Sequence, residues 1–105
     1  MFHVLVALAD GELHGYAIIK SVARHTDGAA VLSTGTLYGI VKRLLAGGLI
    51  VESGRRPAAA VDDERRRYYR VTDFGRRVAV AEAERLQKMV AVARATRLLG
   101  EPGPA

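Results

Sequence analysis

From Thr72 to about Leu99 the chain contains no proline, and Thr72-Asp73 supplies the hydroxyl cap and first-turn acid with which a helix begins. Phe74 and Val78 fall one turn apart behind that start. At about 1.5 Å per residue such a helix is roughly 40 Å long, whereas a globule of this chain length has a radius of gyration of about 13 Å. It must therefore project beyond its own domain. Ala83, Leu86, Met89, Val90 and Ala93 continue an apolar stripe along the projecting part, and in a monomer that stripe would face water. The economical expectation is a two-fold homodimer.

The rest of the chain fits one domain, since a sequence of 105 residues can bury about 65% of its unfolded surface in a single core. There is no cysteine, which excludes disulfides, thiolate metal sites and a cysteine nucleophile. Met1 to Ala9 is apolar but short, lacks a basic lead-in and is broken by Asp10-Gly11-Glu12. It reads as neither a signal peptide nor a membrane span, so a cytoplasmic protein with no membrane partner is expected. His3, His14 and His25 lack metal-ligand spacing, and Asp62 and Asp63 are adjacent rather than set across a cleft. No enzyme, metal or cofactor is expected.

Before the long helix, the sequence lays out three shorter ones. Phe2 to Ala9 is apolar on nearly every side, which predicts a short helix covered all round. After the turn at Asp10-Gly11-Glu12, a second helix is expected over His14 to His25, with Ile18, Ile19, Val22 and Ala23 inward and Lys20 and Arg24 outward. Thr26-Asp27-Gly28 ends it. The third, from Ser33 to Gly48, opens on a hydroxyl suited to capping and closes on a glycine pair suited to a left-handed stop. Leu37, Val41, Leu44 and Leu45 form its apolar stripe. Its other face carries Thr36, Tyr38, Gly39, Lys42, Arg43 and Ala46, hydroxyls and cations among residues too small to block close approach.

Beyond Gly48 the pattern becomes extended. Leu49 to Ser53 reads as one strand and Arg66 to Val71 as a second, with Arg66, Tyr68 and Arg70 on one face and Arg67, Tyr69 and Val71 on the other. Together they predict a hairpin whose loop, Gly54 to Glu64, is longer than a tight turn requires, with a tip expected to be mobile without a partner. The net charge is +5 and nearly all the cations are arginine, concentrated in and around this hairpin. Arginine's planar fork of donors matches phosphate oxygens and guanine edges. Asp62, Asp63 and Glu64 lie beside the arginines and are expected to pair with them in the absence of DNA, lowering affinity.

Three helices followed by a basic hairpin is the layout of a winged helix-turn-helix, whose third helix enters the major groove while the hairpin reaches flanking backbone. The expected class is mainly α (α+β). Residues 1–72 form the DNA-binding domain, 73–99 the C-terminal dimerisation helix and 100–105 a disordered tail. The segments Leu13-His14-Gly15-Tyr16-Ala17-Ile18, Gly35-Thr36-Leu37-Tyr38-Gly39 and Arg66-Arg67-Tyr68-Tyr69-Arg70-Val71-Thr72 with Gly75 resemble the PadR family of transcriptional regulators. The resemblance implies a cytoplasmic homodimer that binds double-stranded operator DNA, usually as a repressor, and that often releases it on binding a small-molecule effector. It implies the short class, with a single C-terminal helix. Thr34 stands where the family commonly has proline, so the third helix depends on a Ser33 or Thr34 cap. No aromatic follows Phe74, so an aromatic clamp at the dimer centre has no counterpart.

The DNA-binding residues expected are Ser33, Thr34, Gly35, Thr36, Tyr38, Lys42 and Arg43 from the third helix and Arg65, Arg66 and Arg67 from the hairpin. Side chains alternate along a strand, so those arginines cannot all point one way. Tyr38 either donates to a phosphate or packs on the second helix, and the face it shares with Lys42 favours phosphate. His14 is expected to make a structural hydrogen bond, and Tyr68 and Tyr69 to divide between the core and the outer face. The dimer interface is expected at Phe2, Leu5, Leu8, Ala83, Leu86, Met89, Val90 and Ala93. An effector pocket would use Leu5, Leu8, Leu86, Met89 and Val90, which serve equally as plain dimer core. The alternative function is a protein-interaction winged helix whose basic wing meets an acidic partner.

Overall fold

A computed structural model of the protein describes residues 1–53 and 67–98. Its elements are α1 (Phe2–Ala7), β1 (Leu13–His14), α2 (Gly15–His25), α3 (Thr34–Ala46), β2 (Ile50–Ser53), β3 (Tyr68–Val71) and α4 (Asp73–Ala95). The expected loop from Gly54 to Glu64, Arg65, Arg66, and the expected tail 100–105 lie outside the described residues, as does Leu99.

Local chemistry accounts for each helix boundary. Ser33 accepts the Thr36 N–H at 3.1 Å and thereby starts α3. At its other end Gly48 takes a left-handed φ of +76°, the Leu49 N–H donates to the Leu44 carbonyl and the Gly48 N–H to that of Leu45. These two bonds close a Schellman stop, which satisfies carbonyls the helix itself leaves open. A second Schellman stop ends α4 at Ala95, with Arg97 left-handed at φ +65° and the Leu98 N–H donating to Ala93. The helix therefore ends short of the expected Leu99.

Three further expectations change. The sheet has three strands in the order β1-β3-β2, because Leu13 and His14 pair with Tyr69 and Tyr68, so the hairpin is backed by a strand that two residues are enough to make. Consequently α2 begins at Gly15, and His14 is its cap rather than its first residue: its Nδ1 accepts the Ala17 N–H at 3.2 Å. That bond is the structural role expected of His14. Finally, α1 ends at Ala7 and is not covered all round, since Val4, Leu5, Ala7 and Leu8 are buried while Val6 is exposed and Phe2 half-buried.

The core unites Leu5 and Leu8 of the α1 segment, Ile18 and Val22 of α2, Leu37, Val41 and Leu44 of α3, and Ile50 and Tyr69 of the sheet. Leu45, expected on the buried stripe, is 38% exposed, since one step beyond Leu44 turns it away from α2. Between α2 and α3, the Thr26 hydroxyl donates to the Val22 carbonyl and accepts the Ala30 N–H, fixing the turn of the helix-turn-helix. The exposed part of α4 carries a bidentate Arg85–Glu82 pair at 2.7 and 3.0 Å, which holds the Glu82 carboxyl below its usual range. No helix among the described residues is long and apolar enough to cross a membrane.

The start of α4 is fixed to the end of α3 by one residue. Thr72 Oγ1 accepts the Gly75 N–H at 2.9 Å, and its hydroxyl hydrogen points to the Gly48 carbonyl at 2.7 Å, with that of Leu49 at 3.0 Å. Gly75 lets the two backbones meet: a Cβ there would overlap the Leu49 carbonyl and reach Val71 Cγ2 at 2.9 Å. Gly75→Ala is therefore expected to cost about 1–3 kcal/mol by overpacking against backbone that cannot yield. Thr72→Val should cost about 1–2 kcal/mol through the lost cap and the lost hydroxyl bond to the Gly48 and Leu49 carbonyls. Chemical denaturation followed by circular dichroism measures both, and a Gly75→Ala protein as stable as the parent would contradict the close approach.

Candidate nucleic-acid interface

The buried side of α3 is narrow: Leu37, Val41 and Leu44 are buried, Ile40 packs against the core beside them, and most of the helix is presented outward. With Leu37, Val41 and Leu44 sealed in the core, Ser33, Thr34, Gly35, Thr36, Lys42 and Arg43 are all exposed. The Ser33 hydroxyl also donates to Thr36 Oγ1 at 3.0 Å, so two of these hydroxyls are interlocked at the tip of the helix. The cations Lys42 and Arg43 stand side by side about two turns farther along. A helix end bearing donors and cations, with Gly35 and Gly39 adding no bulk, can approach a sugar-phosphate backbone closely.

Tyr38 is placed between the two readings the sequence leaves open. Its ring leans over the first turn of α2, where a Cβ on Gly15 would stand 2.6 Å from the Tyr38 hydroxyl oxygen and 3.2 Å from Cζ. The residue remains 37% exposed. Glycine at position 15 is thus what lets Tyr38 pack, and packing fixes where its hydroxyl lies. Behind it, Tyr69 is buried at the strand's core face, while Tyr68 sits outward and meets the His14 ring edge-on at 5.4 Å. Burial raises the Tyr69 phenol above its ordinary pKa; the neighbouring Tyr38 and Glu52 reinforce the rise and Arg67 opposes it. Tyr38, Tyr69, Glu52 and Arg67 therefore share one electrostatic neighbourhood, where α3 meets the base of the wing.

Of the three hairpin arginines, Arg65 and Arg66 are outside the described residues, and Arg67 is exposed with its Nε 3.5 Å from Glu52 Oε2. Two features escaped the sequence. Glu52 as the partner of Arg67 becomes visible only with the strand register, which sets Glu52 opposite Tyr69. On the outer face of α2, Lys20 Nζ stacks 5.0 Å above the centroid of the Tyr16 ring, a spacing of one turn that a search for aromatic–cation pairs would have found.

The expected dimer residues fall into three places. Phe2, Leu5 and Ala83 line a groove of about 190 Å³ between α1 and α4, together with Val6, Ala79 and Val80. One end is closed by Arg76, whose Nη2 donates to the Ala9 carbonyl at 3.2 Å. Leu8 is 1% exposed and belongs to the protomer's own core, so it offers no surface to a partner or to a ligand. Leu86, Met89 and Val90 lie farther out on α4, exposed at 38%, 54% and 40%, and do not line the groove; Ala93 is half-buried.

Comparison with known proteins adds an independent line. Residues 4–81 match the model of the transcriptional regulator PadR-like family. No curated protein sequence matches the chain. Among solved structures, a transcriptional regulator from Clostridium thermocellum superposes with a TM-score of 0.72 at 28% identity, over 90% of this chain and 85% of that one. A PadR-like regulator from Bacillus cereus gives a TM-score of 0.71 at 23% identity over 95% and 91%. Bacillus subtilis PadR, solved in complex with operator DNA, gives 0.62 at 18% identity over 98% of this chain and 49% of that one. The last two likenesses speak to the winged-helix fold, whereas the family match extends over most of the chain, from α1 to the first third of α4, and with it this protein belongs to the PadR-like family of transcriptional regulators.

Proposed function

We propose that the protein is a cytoplasmic, homodimeric DNA-binding regulator that represses transcription at a palindromic operator and is released from it by a small apolar effector. The observation that carries the reading is the presentation of α3: its apolar edge is sealed in the core while Thr36, Lys42 and Arg43 stand exposed on the face that enters a groove in this fold. Membership of a family of transcriptional regulators and the operator-bound neighbour with the same fold support it. In this reading Ser33, Thr34, Gly35 and Thr36 meet the backbone at the tip of α3, Lys42 and Arg43 read base edges or phosphates, and Arg65 with Arg67, which alternate onto one side of the wing strand, reach the flanking backbone. Tyr38 contributes mainly by seating α3 on α2, with its exposed edge toward phosphate.

The dimer follows from α4. Leu86, Met89 and Val90, with the half-buried Ala93, form a stripe that its own protomer leaves largely uncovered and that extends along α4 from the end of the groove lined by Phe2, Leu5 and Ala83. Pairing two such stripes about a two-fold axis would set the recognition helices about 34 Å apart or a multiple of it. An effector would enter where the groove meets the partner's stripe.

Three measurements test this. With three to four phosphates neutralised per protomer, the slope of log affinity against log salt should lie near about −6 for the dimer, and a flat response would contradict the DNA reading. Lys42→Ala/Arg43→Ala should lose about 1–3 kcal/mol of operator affinity per base contact with no change in folding, as read by footprinting on the DNA upstream of the chain's own gene. For the dimer, Leu86→Glu with Val90→Glu should shift the sedimentation coefficient to that of a monomer, and a parent protein that already sediments as a monomer would sink the proposal.

A further inference from the structure

Strands β2 and β3 turn one face toward α3. On it Ile50 stands opposite Val71, and Glu52 opposite Tyr69, with Arg67 two residues beyond Tyr69 on the same side. Ile50 and Tyr69 belong to the core with Leu37 and Leu44 of α3, so this face continues outward from the core beside the recognition helix. Where it leaves the core, the apolar pair is replaced by an ionic one. Arg67 and Glu52 stand 3.5 Å apart, with side chains 46% and 36% exposed. An ion pair so open to water contributes little to folding, and the fold does not require a carboxylate at position 52. For a surface meant to receive phosphate, however, a carboxylate there is unfavourable.

We propose that Glu52 is an intramolecular rival of the DNA phosphate: it holds Arg67 in the free protein, must surrender it on binding, and so sets the affinity for DNA. The proposal rests on the DNA-binding reading above. Asp62, Asp63 and Glu64, the partners expected from the sequence, lie outside the described residues; Glu52 comes from the facing strand. Its consequence for ion release is specific. When Arg67 moves to a phosphate, a DNA counterion is freed, but the abandoned Glu52 takes up a cation from solution. Net release per protomer is then smaller by about one ion than the number of phosphates contacted.

The experiment is a double-mutant cycle on the full chain, comparing parent, Glu52→Gln, Arg67→Gln and the double variant. Binding to a fluorescein-labelled, mixed-sequence DNA duplex is read by anisotropy from about 50 to about 200 mM salt, the range over which phosphate contacts dominate. Such a duplex needs no knowledge of the operator. Glu52→Gln keeps the side chain's shape and is expected to bind about three- to tenfold more tightly, with a salt slope steeper by about 1 per protomer. In the Arg67→Gln background the same change should move affinity by less than about twofold. Glu52→Ala carries the same expectation as Glu52→Gln, so the outcome does not depend on one substitution. Unchanged affinity in both Glu52 variants overturns the proposal, and so does an equal gain with and without Arg67, which would make Glu52 one charge in a general field. A parent that binds no duplex at low salt overturns the DNA reading itself, and this proposal with it.

Discussion

The junction at Thr72 is what the arrangement of the molecule depends on. One hydroxyl caps α4 and simultaneously reaches the carbonyls of Gly48 and Leu49, the residues that stop α3 and lead into β2. The Thr72 N–H donates to Leu49 as well, at 3.0 Å. The angle between the recognition helix and the projecting helix is therefore set by direct backbone contact rather than by a flexible linker. Gly75 completes it, because any side chain there would hold the two segments apart. A junction made of direct backbone contacts holds the start of α4 at a fixed orientation to the end of α3.

A similar economy holds at the other side of α3. Tyr38 packs over Gly15, His14 caps α2 and meets Tyr68, and Tyr69 is buried where α3 crosses the sheet. Three aromatic side chains and one imidazole thus tie α2, α3 and the wing base into one body. The short strand β1 belongs to this unit, since its two residues pair with those tyrosines' own backbone. The polar groups that line the seam between α3 and the wing are used first for packing, and what remains exposed is the supply of donors and cations open to DNA.

The parts of this fold that were legible in the sequence are those governed by local chemistry. Ser33, Thr72 and Gly48 are capping residues at the positions where helices begin and end, and the buried stripe Leu37, Val41 and Leu44 follows from helical period alone. What was not legible depends on contacts distant in sequence. Leu13 and His14 look like the end of a turn until β3 arrives beside them. Leu45 has the right period for the stripe, but it lies at the edge of the arc that α2 and the sheet can cover. The end of α4 was missed because its stop uses Arg97 in a left-handed conformation, a position at which arginine gives no warning. For the candidate interface, the residues of α3 could be named from their pattern, whereas Glu52 required a register that no local signal encodes.

The long helix raises a question of stability that its own protomer does not answer. Across α4 only Gly75 is fully buried, and past Ala83 the helix is exposed on nearly every side. An isolated helix of this composition is marginal in water, because most helical stability in proteins comes from packing an apolar face. The Arg85–Glu82 pair, lying in water on the helix surface, adds little to that. Some other surface must cover Leu86, Met89 and Val90 for the outer half of the helix to persist. On the proposed dimer that surface is the same stripe on a second copy, and the distance between recognition helices is then fixed only after the two copies have paired. Under that proposal, folding of the outer helix and pairing of the protomers would be coupled, because the apolar stripe that stabilises the helix is the surface that joins the two copies.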